Sequence, residues 1–205
     1  MGEPSARGRS RLPEEIHPKA LAMRAARAKA EGGRAEPYRD TPDYLEDQVA
    51  RLRALVDAAM AEAAGNEAVR DERRAIAAKV AERIAARLAA TADGGAALGL
   101  EGLRRRFALD AFEVDVMLHA LGSSLDPALG RAYGKLSGQV ARGVLDVGAA
   151  IQIHVDGVAA RLRARARFQA DAPLLRHRLL LLDRTARPEA RESLLACELK
   201  LPARV

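Results

Sequence analysis

Arginines provide the most suggestive chemistry in this sequence of 205 residues. Between residues 161 and 167 every second residue is an arginine, a spacing that would form a phosphate-binding ladder on a single face. On a helix these arginines divide into two pairs, because successive residues turn by about 100°. We predict that an apolar stripe between the pairs is buried, and that the arginines flank it with their charged groups in water. The arginines are Arg161, Arg163, Arg165 and Arg167, and the stripe consists of Val155, Val158, Ala159, Leu162 and Ala166.

Two further groups of arginines are candidates for contact with a partner. The consecutive arginines 104–106 cover most of a helical turn, so at most two of them can face one partner. Arg176 and Arg178 would lie on one side of a β-strand, with His177 opposite, and could touch an acidic surface. The candidate partner-binding residues are Arg104, Arg105, Arg163, Arg167, Arg176 and Arg178.

Catalytic and metal-binding patterns do not emerge from the sequence. The histidines are far apart along the chain, and none has a second ligand at a metal-binding helical spacing. Ser123 and Ser124 have no neighbouring base, and Glu113 is expected to cap a helix. Cys197 is the single cysteine, which excludes an internal disulfide, and we expect it to be a small buried residue. We therefore predict no enzymatic activity, catalytic residue, cofactor, metal or small-molecule substrate.

The charge distribution indicates where an electrostatic partner would bind. The net charge is +6, and residues 161–187 hold eight arginines against two aspartates, a surplus equal to the whole net charge. No stretch approaches the roughly 20 apolar residues of a membrane span. The N-terminal residues lack the apolar core of a secretory signal, so we predict a cytoplasmic protein that does not enter membranes.

The chain divides into three segments by composition. Residues 1–43 mix Gly, Pro, Arg and Glu and are predicted to be disordered, apart from a weak helical patch at Pro18–Ala30. Residues 44–92 carry apolar residues every three or four positions, interrupted at Gly65-Asn66, and are predicted to form an antiparallel helix pair. The third segment, residues 98–205, is denser in large apolar residues and is predicted to form a separate domain.

Local signals within this third segment predict several helices. Asp110 and Glu113 have the spacing of a capping box, and Asp126-Pro127 is a second helix start. One apolar stripe follows each start, and the second runs from Leu129 to Val140. Further helices are expected around residues 144–153 and 156–168.

The C-terminal residues have the features of a β-hairpin. LLRHRLLLLD (174–183) is the first predicted strand, and RTARPEARE (184–192) is a polar loop. In SLLACELKL (193–201), Leu195, Cys197 and Leu199 alternate with Ala196, Glu198 and Lys200, as expected of a half-buried strand. The predicted fold class is mainly α, a helical bundle with a winged-helix domain closed by a C-terminal β-hairpin.

The motifs of residues 98–201 also resemble those of a known family. LRRRFALDAFEVDVMLHALGSSLDP, ALGRAYGKL, RFQADAPLLRHRLLLL and SLLACELKLP occur in this order. They resemble the winged-helix region that precedes the ATPase domain in bacterial AAA+ ATPases, some of which are encoded with contractile injection systems. The matching positions are Leu103, Arg106, Phe107, Leu109, Phe112, Glu113, Asp115, Leu118, Leu125, Asp126, Pro127, Tyr133, Phe168, Asp171, Ala172, Pro173, Leu174 and Leu179.

The resemblance implies a role in protein contacts. It also implies ATP hydrolysis for the relatives, but this sequence lacks the G-x-x-x-x-G-K-[ST] loop that binds nucleotide phosphates. The predicted function is a noncatalytic winged-helix module that self-associates or recruits a protein partner. The alternative is a small winged-helix regulator that binds DNA through residues 161–178.

Overall fold

The ordered core begins earlier in the sequence than predicted. The structure, a computed structural model, describes residues 35–93, 97–185 and 193–203. Tyr38 is buried, and its backbone N–H donates to Oγ1 of Thr91 at 2.7 Å. The Tyr38 and Tyr44 rings pack edge to face, with centroids 5.0 Å apart. The disorder predicted up to residue 43 is therefore wrong for residues from Tyr38 onward, whereas the predictions for residues 1–34, including Pro18–Ala30, lie outside the described residues.

Helices α1 (Thr41–Ala63) and α2 (Glu67–Asp93) form an antiparallel pair. Asp40 caps α1 by accepting a hydrogen bond from the Asp43 N–H at 2.8 Å. Ion pairs join the two helices at several points along the seam. They are Arg87–Asp43 at 2.8 Å, Arg83–Asp47 at 2.8 Å and Arg74–Glu62 at 3.7 Å.

Three helices follow, and the starts of the second and third agree with the sequence signals. They are α3 (Gly99–Arg106), α4 (Ala111–Leu125) and α5 (Pro127–Leu136). Asp110 and Glu113 form a capping box, with both side-chain-to-backbone bonds at 2.9 Å. Asp126 caps α5 through the Ala128 N–H at 2.9 Å. The predicted stripe extends too far, because α5 ends at Leu136 and Val140 is 69 % exposed in the following turn.

The next elements are shorter than predicted. Helix α6 (Val147–His154) is capped by Asp146, and α7 (Val158–Ala164) begins after Gly157, whose φ is +77°. A 3₁₀ turn (Arg165–Phe168) and the one-turn helix α8 (Pro173–Arg176) follow. The strand predicted over 174–183 is therefore wrong for its first part. Arg176 and Arg178 lie at a helix end and not on the side of a strand.

A small sheet closes the fold. Strands β1 (Leu181–Asp183) and β2 (Glu198–Lys200) are antiparallel, with Leu182 opposite Leu199. The other edge of β2 meets the residues before α6, because the Leu199 N–H donates to the Leu145 carbonyl at 2.9 Å. Asp146 and Glu198 form a bridge there. The predicted mainly α fold closed by a C-terminal β-hairpin is confirmed.

The second strand departs from the predicted alternation. Cys197 and Leu199 are buried as predicted, but Leu195 is half-buried in the 3₁₀ turn Leu194–Ala196. Glu198, expected to face water, is also buried. Its carboxylate is stabilised by the Arg142 guanidinium, with Nη2 and Oε1 3.0 Å apart.

A buried polar network joins the helix pair to the following helices. Arg51 of α1 binds both carboxylate oxygens of Asp115 on α4, with Nη1 and Oδ2 3.0 Å apart. The Nδ1 atom of His154 on α6 lies 3.6 Å from the same Oδ2. The rings of His119 and His154 have centroids 4.9 Å apart, and His119 Nδ1 is 2.7 Å from the Tyr133 hydroxyl. The two histidines that look unrelated in sequence are therefore neighbours in the core.

Both core histidines favour the neutral form. Burial lowers the pKa of His154 to about 4, although the Asp115 carboxylate acts in the opposite direction. Burial, the neighbouring His154 and Arg51 lower the pKa of His119 well below its usual value. The folded protein therefore takes up protons on these rings at much lower pH than the unfolded chain.

We predict that acid destabilises the protein through His154. Below about pH 6.5 the unfolded chain binds a proton that the folded state binds only near pH 4, so stability falls as pH decreases across this range. At about pH 4, the loss in the free energy of unfolding that is attributable to His154 is about 3 kcal/mol. Urea unfolding of His154→Gln, measured over this range, should show a weaker pH dependence than the unmodified protein. An unchanged dependence in His154→Gln would contradict the prediction.

Candidate interaction surface

Helix α7 is attached to the protein by one edge and one end. Phe168, at the end of the 3₁₀ turn, is buried, and its ring packs edge to face on Phe112 with centroids 6.0 Å apart. Arg161 donates to a Glu62 carboxylate oxygen at 2.8 Å and to the Val155 carbonyl at 2.9 Å. These contacts fix the position of α7, although no residue of the helix itself is buried.

The opposite face of α7 is apolar and open to solvent. Val158 is 77 % exposed and Leu162 is 56 % exposed. Ala159 and Ala166 are also exposed. The predicted burial of this stripe is therefore wrong for these four residues, whereas Val155 is half-buried against the core. The half-buried side instead carries Ala160 and Ala164, small residues that permit close approach of the helix to the protein.

The arginines of this segment have two different environments. Arg161 and Arg167 make internal ion pairs, the latter with Asp110 at 2.6 Å. Arg163 and Arg165 are exposed and make no ion pair within the described ranges. By helical spacing, Arg163 neighbours Ala159 and Arg165 neighbours Leu162. Two unpaired cations therefore lie beside the exposed apolar stripe.

A groove lies on the α6 side of α7. Two cavities of about 330 and 180 Å³ share Gly148, Gln152 and Leu195, and the smaller one reaches Arg161 and Arg165. A Cβ atom on Gly148 would lie 3.2 Å from the Leu195 carbonyl oxygen, so glycine permits the close approach of this turn. The surface thus offers an exposed apolar helix face and an adjacent groove, an arrangement suited to binding a protein segment.

The remaining candidate arginines lie at two helix ends. Arg104 pairs with Glu101 at 2.8 Å. Arg105, Arg176 and Arg178 are exposed, and the Phe107 and His177 rings beside them contact each other with centroids 4.9 Å apart. The structure therefore does not unite the six candidate residues. Arg163 lies beside the α7 stripe, and Arg167 makes an internal ion pair. The helix ends that carry Arg105, Arg176 and Arg178 are those of α3 and α8, which lie close together.

The described residues show neither a metal cluster nor a membrane-spanning helix. No group of three or more His, Cys, Asp or Glu side chains within 35–93, 97–185 and 193–203 is arranged to hold a metal ion. Over the same ranges, no helix combines the length and apolar character needed to cross a bilayer. Sequence reasoning missed the exposed stripe and the His119–His154 contact. For the His119–His154 contact, the sequence offered one signal. Each of these histidines stands within an apolar helix, which indicates a buried position.

We predict that Phe168 is the main anchor of α7. Phe168→Ala should lower the free energy of unfolding by about 3 kcal/mol or more, because it removes a buried aromatic ring. Amide hydrogen exchange of residues 158–168 should accelerate in the same variant. The surface control Val140→Ala should change the free energy of unfolding, measured in urea, by less than about 0.5 kcal/mol. A similarly small effect of Phe168→Ala would contradict the anchoring role.

Comparison with known proteins assigns the fold. A family model described as "Winged helix domain, variant" matches residues 26–205, well over half of the chain. No curated protein and no solved structure matches the chain. Helices α6 and α7 precede the small sheet, an order of elements that agrees with the family assignment. The chain belongs to the winged helix domain, variant family, which confirms the winged-helix part of the predicted fold.

Proposed function

We propose that this protein is a noncatalytic interaction module that recruits a protein partner through the outward face of α7. The exposure of Val158 and Leu162 carries the proposal. Burying a Val or Leu side chain is worth about 1.5–3 kcal/mol. Covering both would therefore contribute about 3 kcal/mol or more, which is about a hundredfold in affinity. An apolar helix face held on a fixed support gives a partner this gain without reordering the module.

The chemistry of this face argues against sequence-specific DNA reading by α7. Base edges in the major groove are distinguished mainly by hydrogen-bond donors and acceptors. The outward face presents Val158, Ala159 and Leu162, which have neither on their side chains. Arg163 and Arg165 can contact phosphates, but phosphate contacts do not read sequence. The alternative of a DNA-binding regulator acting through residues 161–178 is therefore less well supported than a protein contact.

The flanking charges indicate the kind of partner. Arg163 and Arg165 favour a partner segment that carries apolar residues with carboxylates beside them. A two-fold contact between identical α7 faces would bring the same arginines of two copies together. Recruitment of a different protein is accordingly favoured over self-association through this face.

We further propose that the partner belongs to an assembly containing an AAA+ ATPase, such as a contractile injection system. The order of motifs in residues 98–201, including Phe107, Glu113 and Asp126, supports this link through its resemblance to the region preceding such ATPase domains. The module contributes binding and no ATP chemistry, since this sequence carries no phosphate-binding G-x-x-x-x-G-K-[ST] loop.

Photo-crosslinking in the native cell tests the interaction face. A photoreactive amino acid at position 162 should give a defined crosslinked protein, because that side chain would be covered by the partner. The matched control is position 78, an exposed alanine on α2. Adding Val158→Ser should reduce the yield at position 162 without changing the control. If positions 162 and 78 gave the same crosslinked proteins in the same yield, the result would contradict the proposed face.

Mass spectrometry of the crosslinked species tests the partner. An AAA+ ATPase or an injection-system component would support the assembly proposal. A second copy of this chain would show self-association instead. An unrelated protein would overturn the link to these assemblies while leaving the α7 interaction face in place.

A further inference from the structure

The smaller of the two cavities beside α7 has room for a single side chain. It measures about 180 Å³ and lies between α6, α7 and the 3₁₀ turn Leu194–Ala196, and we call it the α6–α7 cavity. An apolar cavity of about 150 Å³ is large enough to hold benzene. The α6–α7 cavity can therefore hold one side chain of the size of leucine or phenylalanine. Its lining residues are Gly148, Ile151, Gln152, Arg161, Arg165 and Leu195.

Two polar side chains at this cavity are available to a ligand. Gln152 is half-buried, and its amide group makes no hydrogen bond in the described part of the chain. Arg165 is exposed and makes no ion pair over the same residues. The Arg161 guanidinium, in contrast, already donates to a Glu62 carboxylate oxygen and to the Val155 carbonyl. The cavity therefore offers one unpaired amide and one unpaired cation.

The apolar part of the cavity wall comes from α6 and the 3₁₀ turn. Ile151 is buried within α6, and Leu195 is half-buried in the turn. Leu195 lines both cavities beside α7, whereas its place in the sequence predicted a buried strand position. A side chain that enters the cavity would cover the exposed part of this leucine. The wall therefore favours an apolar occupant.

The cavity borders the apolar face that is proposed to bind the partner. Arg161 follows Val158 by three residues, and Arg165 follows Leu162 at the same spacing. Residues three positions apart are neighbours on a helix surface, and they lie directly in line on a 3₁₀ turn. A partner segment that covers Val158 and Leu162 would therefore reach the cavity at Arg165.

We propose that the α6–α7 cavity binds one large apolar side chain of the partner, and that Arg165 binds a carboxylate of the same segment. This inference rests on the proposed function, because it specifies which segment the α7 face recruits. The occupant is an acidic segment with a leucine or phenylalanine within one helical turn of an aspartate or glutamate. Charge complementarity at Arg165 selects the acidic residue, and the Gln152 amide can bond a peptide group of the segment.

Titration with N-acetylphenylalanine tests the cavity in the full chain, because this probe combines an aromatic ring, a peptide group and a carboxylate. Amide chemical shifts of the isotope-labelled protein should change saturably at Gln152, Leu195 and Arg165. A ligand of this size is expected to bind with a Kd of about 1 mM. N-acetylphenylalanine amide, which lacks the carboxylate, should bind about fivefold more weakly. N-acetylglycine, which lacks the side chain, should give no saturable change.

Two variants with equal charge loss test the role of Arg165. Arg165→Gln should weaken binding of the acid about fivefold and leave binding of the amide unchanged. Arg163→Gln removes an exposed arginine that does not line the cavity, and it should leave both Kd values unchanged. Equal weakening by the two variants would overturn the proposal, because the effect would then follow net charge alone. Absence of saturable changes at the cavity residues up to about 10 mM probe would also overturn it.

The crosslink from position 162 extends the test to the native partner. The partner peptide crosslinked at that position should carry a leucine or phenylalanine within one turn of an acidic residue. Replacing that apolar residue by alanine in the partner should reduce the crosslink yield. A crosslinked peptide without such a pair would overturn the role of the cavity and leave the α7 face in place. Absence of a defined crosslink would instead contradict the α7 face, whatever the titration shows, so the two proposals can fail separately.

Discussion

Attachment of α7 along a single edge is the constraint from which the proposed interaction surface follows. Phe168 fills the core at the end of the segment, and Arg161 pairs with Glu62 on the helix pair. The half-buried side of α7 itself carries alanines, so the helix lies close to the protein. Its larger apolar residues, Val158 and Leu162, then necessarily face outward. An exposed apolar face on a fixed helix is a feature of surfaces that bind other molecules.

Polar contacts within the core connect the helices that support α7. Arg51 and Asp115 pair between α1 and α4, and His154 joins them from α6. Breaking a buried ion pair by removing one partner is costly, because it leaves an uncompensated charge. Phe112 contacts both His154 and Phe168, so the network and the anchor of α7 share one aromatic neighbour. The proposed interaction face is thereby connected through aromatic packing to the two buried histidines.

Local features were predictable from sequence because they depend on neighbouring residues. The capping box of Asp110 and Glu113 and the cap at Asp126 have fixed spacings, and both are present. The antiparallel helix pair follows from apolar periodicity and one Gly-Asn break. The winged-helix class followed from the succession of helical stripes and an alternating C-terminal segment.

The errors concern features that depend on tertiary packing. Periodicity identified the α7 stripe but could not determine which side faces the core, since alanines on the other side allowed closer packing. The leucine-rich run from Leu174 resembled a strand, yet Pro173 starts a helical turn that closes at Leu179. Burial of Glu198 depends on Arg142, a partner 56 residues away. The neighbouring positions of His119 and His154 likewise arise only after the helices pack.

The orientation of α7 can be tested most directly by comparing two leucine substitutions in urea unfolding. Leu162 lies on the outward face, whereas Leu174 is 1 % exposed. Leu162→Ala should change the free energy of unfolding by less than about 0.5 kcal/mol. Leu174→Ala should lower it by about 2–5 kcal/mol. Equal destabilisation by the two substitutions would show that Leu162 is buried and would contradict the proposed interaction face.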